Sequence, residues 1–197
     1  MQKLILARHG LAGSNRDGIA SCTVPGEGLV PEGVEQARAL GELLDEAISL
    51  AATTDLARTQ ETLALALEGR DVPTILVPEL NEIHFGSFDG GLLDAYRDWA
   101  GTRSPDERAP GEGESRADAA ARFARGLRVL LGHNEAVVLL VGHALMVRYT
   151  LDAADGLVPA ARMVPIEHAH PYRLDREGVE RAVEVLEAWS AAPAFRG

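Results

Sequence analysis

The sequence of 197 residues is poor in cysteine and lysine and has no long hydrophobic run. Its single cysteine, Cys22, excludes an internal disulfide and predicts a reducing, cytoplasmic location. Lys3 is the only lysine, so chemistry that depends on a buried lysine is not expected. The longest strongly apolar stretch, Val137 to Val141, is far too short to span a bilayer. The first residues also lack the basic and apolar regions of a signal peptide.

Acidic residues outnumber basic ones, and the formal net charge is −11. This excess argues against nucleic acid or an anionic membrane surface as a partner. A small anionic substrate is still compatible, because the diffuse field is screened beyond about 8 Å and local arginines can dominate a pocket. The length and the 46% hydrophobic content predict one domain over residues 1–197 with an ample core.

Strand and helix patterns alternate along the chain. Apolar runs predict strands at residues 3–7, 48–52, 74–77 and 136–141. Helical spacing predicts helices at residues 32–47, 115–131 and 143–152, and a further helix that begins near Asp55 as its N-cap. The helix at 115–131 begins with the capping box Ser115-x-x-Asp118. This alternation predicts an α/β fold with a largely parallel sheet.

The sequence pattern does not decide the secondary structure of the C-terminal part. Residues 162–168 and 171–175 could be strands, and residues 179–189 fit a helix or a strand equally well. Residues 101–114 are rich in proline, glycine and charge, which predicts a surface loop that can form part of a lid.

Three predicted strand ends carry residues suited to binding a phosphate dianion. Arg8-His9-Gly10 ends the first strand, Thr54 to Arg58 joins the second strand to a helix, and Gly142-His143 follows the strand at 136–141. In a parallel sheet these ends lie at the same edge, where ligands bind. The edge would then carry two arginines, two histidines and a helix N-terminus, which favours anions.

Several segments in order resemble the histidine phosphatase superfamily, which includes the cofactor-dependent phosphoglycerate mutases. They are Arg8-His9-Gly10 with Asn15, Leu29 to Gly33 with Gln36-Ala37, Thr54 to Thr59 with Thr62, Leu80 to Glu82 with Phe85-Gly86 and Phe88 to Gly90, Gly113 to Ser115, and Val141 to His143. The resemblance covers about residues 2 to 155. It implies a three-layer α/β/α, phosphoglycerate mutase-like fold with a mostly parallel central sheet, and a lid from residues 84–114.

The resemblance also implies a role for each matched residue. His9 would be the nucleophile that forms a phosphohistidine, and it must be neutral to attack. Arg8, Arg58 and His143 would bind the phosphoryl oxygens, and Asn15 matches a further phosphate contact. Glu82 would protonate the leaving oxygen and then activate water, which requires a raised pKa. His84, two residues from Glu82, is a candidate for the substrate side of the pocket.

Some residues depart from the pattern or suggest other chemistry. Leu11 and Ala12 replace polar residues common after the motif in the family, which puts substrate similarity to the mutases in doubt. Cys22 is not expected to be a phosphatase nucleophile, because position 28 is Gly where that mechanism needs arginine. His168 and His170 lie two apart, but no third ligand at suitable spacing accompanies them, so no metal site is predicted.

The sequence therefore predicts a phosphomonoester hydrolase that acts on a small phosphorylated metabolite through a phosphohistidine and needs no cofactor. A phosphoglycerate mutase-type transferase is the first alternative, but the segment before residue 115 is short and its only basic residues are Arg97, Arg103 and Arg108. A catalytically silent scaffold of the same fold is the second alternative. Sugar phosphates, phosphoglycerates, nucleotides, cobamide-precursor phosphates and phosphoproteins all stay open as substrates, and the oligomeric state, including a homodimer, is not decided.

Overall fold

The computed structural model describes residues 1–196, in which strands and helices alternate as the sequence predicts. The strands are β1 (Lys3–Arg8), β2 (Leu50–Thr53), β3 (Thr74–Leu76), β4 (Val137–Gly142) and β5 (Tyr172–Asp175). The helices are α1 (Gly13–Arg16), α2 (Pro31–Glu42), α3 (Ala57–Ala66), α4 (Leu93–Ala100), α5 (Arg116–Leu131), α6 (Ala144–Ala154) and α7 (Arg176–Ala191). Two short 3-10 turns, Pro78–Leu80 and Gly86–Phe88, lie between β3 and α4.

The five strands form one sheet in the order β3-β2-β4-β1-β5. The pairs β1–β4, β2–β4 and β2–β3 are parallel, and only β5 runs antiparallel, against β1. The mostly parallel sheet is thus confirmed. Because β1, β2 and β4 run in the same direction, the residues that follow them lie along one edge of the sheet.

Both faces of the sheet are covered, which gives three layers. Leu4 and Leu6 of β1 pack into one hydrophobic cluster with residues of α5, α6 and α7. Ile5 and Ala7 point the other way, into a second cluster with residues of α2 and α3. A strand that is apolar on both faces reads as a continuous apolar run, which is why β1 and β4 could be recognised from the sequence.

The predicted helix at 32–47 is too long, and the predicted N-cap of the next helix is wrong. Helix α2 ends at Glu42, and Leu44 is buried beyond its end rather than on its apolar face. The N-cap of α3 is Leu56, not Asp55. The Asp55 carboxylate instead accepts a hydrogen bond from Asn81 Nδ2 at 2.9 Å, while Asp55 N donates to Asn81 Oδ1 at 3.0 Å. Asp55 therefore fixes the loop that carries Glu82.

The C-terminal third resolves the ambiguity that the pattern left. Residues 176–191 form helix α7, so the segment at 179–189 is helical. Residues 162–168 form no strand, and only His168 makes a single bridge, to Arg8. The predicted strand at 171–175 is confirmed as β5. Within residues 1–196, no helix is long and apolar enough to cross a membrane.

The capping box predicted at Ser115 is present and starts α5. Ser115 Oγ accepts from Asp118 N at 3.0 Å, and the Asp118 side chain accepts from Ser115 N at 3.3 Å. We expect Ser115→Ala to lower the free energy of unfolding by about 1 kcal/mol, since Asp118 N at the helix start loses its acceptor. Denaturant unfolding of the variant checks this. Ser87→Ala, an exposed serine outside a cap, is the control, and an equal effect in both variants would contradict the assignment.

Candidate active site

The ends of β1 and β4 meet at the predicted edge. Arg8 pairs with Gly142 in the strand register, and His9 N donates to Gly142 O at 3.0 Å. The chain then turns at Gly10, where a Cβ atom would lie 2.5 Å from Gly33 O, so a side chain would collide with the start of α2. Gly10 N donates to Thr62 Oγ1 at 2.9 Å, which ties the turn to α3. The glycine therefore allows the close packing that places His9.

The His9 ring is buried and held in one tautomer. Nδ1 lies 2.7 Å from Gly10 O, and because a carbonyl oxygen can only accept, Nδ1 carries the proton. The other nitrogen, Nε2, is then the basic atom, and Arg58 Nε donates to it at 3.1 Å. Burial, followed by the charge of Arg58, lowers the pKa of His9 well below its ordinary value. A neutral imidazole with a defined basic nitrogen can act as a nucleophile.

Arg58 is 2% exposed, and its guanidinium lies between the two histidines. Nη2 donates to Ser21 O at 2.9 Å and lies 3.4 Å from His143 Nδ1. Nη1 is buried and has no hydrogen-bond partner among residues 1–196. A buried cationic N–H without an acceptor is costly, and an anionic oxygen would satisfy it.

Arg8 is a second buried cation, and like Arg58 it lines the cavity described below. Nη1 donates to Ile166 O at 2.9 Å, whereas Nε is buried without a partner in the described part of the chain. Burial lowers the pKa of Arg8 to about 10, so the group is still charged at neutral pH. Arg8 Nε and Arg58 Nη1 are thus two buried guanidinium nitrogens without an acceptor among residues 1–196, as expected for an anion site.

His143 lies at the N-terminal end of α6, fully buried. Its ring centroid is 5.5 Å from that of His9, and its Nε2 lies 3.0 Å from Thr54 Oγ1. Burial and the charge of Arg58 lower the pKa of His143 well below its ordinary value.

Glu82 lies across the space from these cations. Its Oε2 is 4.0 Å from His143 Nδ1, and its Oε1 accepts from Ile83 N at 3.0 Å. Burial raises the pKa of Glu82, although Arg58 opposes this shift. A carboxyl group with a raised pKa can both donate and accept a proton near neutral pH, which suits general acid and base chemistry.

Arg8, Arg58 and Glu82 line a cavity of about 390 Å³. The buried rings of His9 and His143 are not among its lining residues, but both contact Arg58. Arg8, Asn15, Arg58 and Glu82 contribute its polar end, and Asn15 Oδ1 is buried there without a partner among residues 1–196. The lining also includes the apolar or aromatic residues Ile19, Phe85, Leu93, Tyr96, Met163 and Ile166, together with the charged residues Arg97, Asp98, Arg116 and Arg162. The cavity therefore has one end for an anion and room for a less polar group beside it.

The structure corrects one predicted binding residue and separates Cys22 from the chemistry. The His84 side chain is exposed and does not line the cavity, since its neighbours Ile83 and Phe85 turn inward instead. His84 N is bonded to Glu114 Oε2 at 2.9 Å, which fixes the loop with this side chain outward. Burial raises the pKa of Cys22 to about 12, so this thiol is a poor nucleophile.

Several cavity residues were not found from the sequence. Ser14 and Ser21 lie near Arg8 and Arg58, and they supply hydroxyls at positions other than Leu11 and Ala12. Tyr96 and Arg116 also line the cavity, and Arg116 Nε donates to Tyr96 Oη at 3.3 Å. No local pattern in the sequence distinguishes these residues from other helix and loop residues.

His168 also lies beside His9, which its spacing from His170 does not indicate. Its Nδ1 donates to His9 O at 2.7 Å, and the two ring centroids are 5.6 Å apart. His170 instead packs on Tyr172, with ring centroids 4.9 Å apart. The two histidines thus have different surroundings, and residues 1–196 contain no cluster of three His, Cys, Asp or Glu residues suited to a metal ion.

A buried histidine paired with arginines, a second histidine and a buried carboxyl group at the edge of a parallel sheet define a phosphoryl-transfer type of site. The family model described as the histidine phosphatase superfamily (branch 1) matches residues 4–188. The chain belongs to this superfamily, and the resemblance predicted from the sequence is confirmed.

Named relatives and solved structures agree on the fold. The adenosylcobalamin/alpha-ribazole phosphatase of Salmonella typhimurium is 40% identical over 88 residues, which are 44% of this chain and 43% of that protein. The match thus spans less than half the length of this relative. A 2,3-bisphosphoglycerate-dependent phosphoglycerate mutase 2 of Gloeobacter violaceus is 32% identical over 94% of this chain and 91% of its own. The alpha-ribazole phosphatase structure from Shigella flexneri has a TM-score of 0.74 and 27% identity, covering 88% of this chain and 90% of that one.

The buried histidines predict that the protein loses stability in mild acid. The pKa values of His9 and His143 are lowered, and burial lowers that of His168 to about 4. Below the ordinary histidine pKa of about 6.5, the unfolded chain binds protons that the folded protein does not. The free energy of unfolding therefore decreases as the pH is lowered. Each such histidine contributes about 1.4 kcal/mol per pH unit.

Glu82 acts in the opposite direction, because a raised pKa stabilises the folded protein at low pH and less so as pH rises. Three histidines outweigh this one carboxyl group between about pH 4.5 and 6.5. Denaturant unfolding at several pH values should therefore show stability rising over this range, and His168→Gln should reduce the slope by about one proton. A slope that is zero or negative would contradict the burial of neutral histidines.

Proposed function

We propose that the protein is a phosphomonoester hydrolase that acts on a small phosphorylated metabolite through a phosphohistidine. The observation that carries this proposal is that Arg58 Nε donates to the basic nitrogen of His9 at 3.1 Å, while Arg58 Nη1 and Arg8 Nε are buried without a partner among residues 1–196. A phosphoryl group in this place would satisfy both cations and bring phosphorus to the nucleophile. Membership of the superfamily supports the same chemistry.

The first step transfers the phosphoryl group to His9. Nε2 forms the bond to phosphorus and the ester P–O bond breaks. Nδ1 keeps its proton throughout and donates it in the hydrogen bond to Gly10 O. Arg58 Nε must first leave Nε2, because this hydrogen bond occupies the lone pair that attacks. The arriving anion offers Arg58 stronger, charge-assisted bonds, so substrate binding itself would expose the nucleophile.

Glu82 supplies the proton in the first step and removes one in the second. As a carboxylic acid it protonates the leaving oxygen, and as a carboxylate it takes a proton from the water that attacks the phosphohistidine. The second attack breaks the P–N bond and returns neutral His9. The raised pKa of Glu82 supports this double role, since the protonated form is populated closer to neutral pH.

The remaining cavity residues would bind the substrate. Asn15, which lines the cavity, would donate to the phosphoryl group from its amide Nδ2, as the sequence predicts. We propose that residues 84–114 form a lid over the cavity within a single domain, because Phe85, Leu93 and Tyr96 from this segment supply much of its apolar wall. A phosphate ester that also carries an apolar group suits such a wall, and alpha-ribazole phosphate, the substrate in the names of two relatives, is a candidate.

Hydrolysis is favoured over a mutase reaction by the arginines of this segment. Arg103 pairs with Glu107 at 3.6 Å and Arg108 with Asp118 at 3.2 Å, so neither faces the cavity. Arg97 alone of the three lines it. Arg116 and Arg162 also line the cavity, so this segment adds one arginine rather than three to its cationic lining. A cytoplasmic location and a homodimer stay predictions.

Replacement of the nucleophile tests the mechanism. We expect His9→Ala to lower the hydrolysis of p-nitrophenyl phosphate by at least about 10³-fold, because no phosphohistidine can form. Trapping of an acid-labile phosphoprotein in the parent alone would agree. His133→Ala is the control, since His133 lies before β4 at the opposite edge of the sheet.

Two results would contradict the proposal. Equal activity of His9→Ala and the parent would exclude the histidine mechanism, and inactivity of both would favour the silent scaffold. Faster conversion of 3-phosphoglycerate in the presence of 2,3-bisphosphoglycerate than hydrolysis of any ester would favour the mutase.

Glu82→Gln tests the acid and base role separately from binding. We expect it to slow hydrolysis of an alkyl phosphate by about 10²-fold or more, because a poor leaving group needs the proton. With p-nitrophenyl phosphate, whose leaving group needs no acid, the first step should survive while water attack is slow. Rapid mixing should then show a burst of nitrophenolate followed by a slow phase. A uniform loss with both esters and no burst would assign Glu82 to binding alone.

A further inference from the structure

A chain of buried hydroxyl groups leads away from His143 on the side opposite the cavity. His143 Nε2 lies 3.0 Å from Thr54 Oγ1, and Thr54 Oγ1 lies 2.8 Å from Thr59 Oγ1. Thr59 Oγ1 lies 2.7 Å from Leu56 O. His143, Thr54 and Thr59 are all fully buried, so the members of this chain bond to one another rather than to solvent.

The last member decides the direction of every bond in this chain. Leu56 O is a carbonyl oxygen and can only accept, so Thr59 uses its one hydroxyl proton there. Thr59 Oγ1 can then only accept from Thr54, which uses the single proton of Thr54 in turn. Thr54 Oγ1 is left as an acceptor, and the proton of the neutral imidazole must therefore be on His143 Nε2.

The other nitrogen of His143 then faces the site as an acceptor. Nδ1 lies 3.4 Å from Arg58 Nη2 and 4.0 Å from Glu82 Oε2. A phosphoryl dianion also carries only acceptors, so a neutral His143 in this tautomer would repel it. His143 can donate to such an anion from Nδ1 only after it gains a second proton.

We propose that Thr54 and Thr59 are positioning residues that fix the His143 tautomer, so that the site binds a phosphoryl dianion only together with a proton on His143 Nδ1. This inference rests on the proposed function, because it assumes that His143 contacts the phosphoryl group. The proton comes from solvent, since the Glu82 proton is needed for the leaving oxygen. In the free protein His143 is neutral, and in the complex it is an imidazolium between the anion and Thr54.

The charges around His143 favour this change only when the anion is present. The titratable and charged groups that face it are Glu82, Arg58, His9, Arg8 and Arg122. Three of these are arginines, whose charges oppose protonation of the free imidazole. A bound dianion reverses the local charge balance, so the proton and the anion enter as a coupled pair.

Sulfate is a suitable probe because it has the shape of phosphate and carries no proton near neutral pH. Nitrogen NMR of the imidazole rings should show His143 as the neutral Nε2–H tautomer in the free protein and as imidazolium with sulfate bound. The dissociation constant of sulfate, measured between pH 7 and 8, should rise by about tenfold per pH unit from this one linked proton. Other groups can add to this slope, so the comparison with a variant is decisive.

Thr59→Val removes the acceptor of the Thr54 proton without touching His143. Thr54 can then donate to His143 Nε2, and the free imidazole should change to the Nδ1–H tautomer, which binds sulfate without a further proton. The pH slope of the sulfate dissociation constant should fall by about one proton relative to the parent. Thr59→Ser keeps the hydroxyl and is the matched control, which should restore the parental tautomer and slope.

Thr54→Val approaches the same chain from its other end if Thr59→Val does not fold. It removes the acceptor of Nε2–H, so the Nε2–H tautomer should lose its preference, whereas Thr54→Ser should keep it. An Nδ1–H tautomer in the free parent, or a neutral His143 with sulfate bound, would overturn this inference alone. Failure of the parent to bind sulfate at all would overturn both this inference and the proposed function.

Discussion

The buried guanidinium of Arg58 is the interaction on which the site depends. It contacts the basic nitrogen of His9, approaches His143, and donates to a backbone carbonyl at Ser21. A charge removed from water in this way is stabilised only if its N–H groups find acceptors, and one of them has none among residues 1–196. The folded protein is thus expected to bind an anion at Arg58. A bound phosphoryl group would accept from this guanidinium and free His9 Nε2 from its hydrogen bond to Arg58 Nε in the same event.

This arrangement also keeps His9 and His143 neutral, because they are buried and Arg8, Arg58 and Arg122 add positive charge around them. Burial and neighbouring positive charge hold both imidazoles neutral, so His9 keeps its lone pair for attack. Glu82 experiences the opposite balance, because burial favours its neutral form more than the arginines favour its charged form. The same buried environment therefore favours the neutral form of both groups, which is the form that the proposed mechanism requires of His9 as nucleophile and of Glu82 as acid.

The sequence predicted the parts of the site that follow directly from strands. His9, Arg58 and His143 each come within a few residues of a parallel strand, so their convergence follows from the direction of β1, β2 and β4. The prediction that His84 lines the pocket was wrong because His84 does not lie in a strand. Alternation predicts the direction of side chains in a strand, but residues 82–85 lie in a loop whose direction is set by the bond of His84 N to Glu114. The place of His168, some 160 residues from His9, had no local signal at all.

The segment around His168 shows why the substrate wall and the nucleophile belong to one structural unit. Three hydrogen bonds join residues 166–169 to the end of β1: Arg8 Nη1 to Ile166 O, Ala169 N to Arg8 O, and His168 Nδ1 to His9 O. Ile166 also lines the cavity. A change in this wall therefore acts directly, through these bonds, on the backbone of His9 and on Arg8. Substrate preference in this fold can then change most freely on the opposite wall, where residues 84–114 contribute side chains without bonding to the nucleophile.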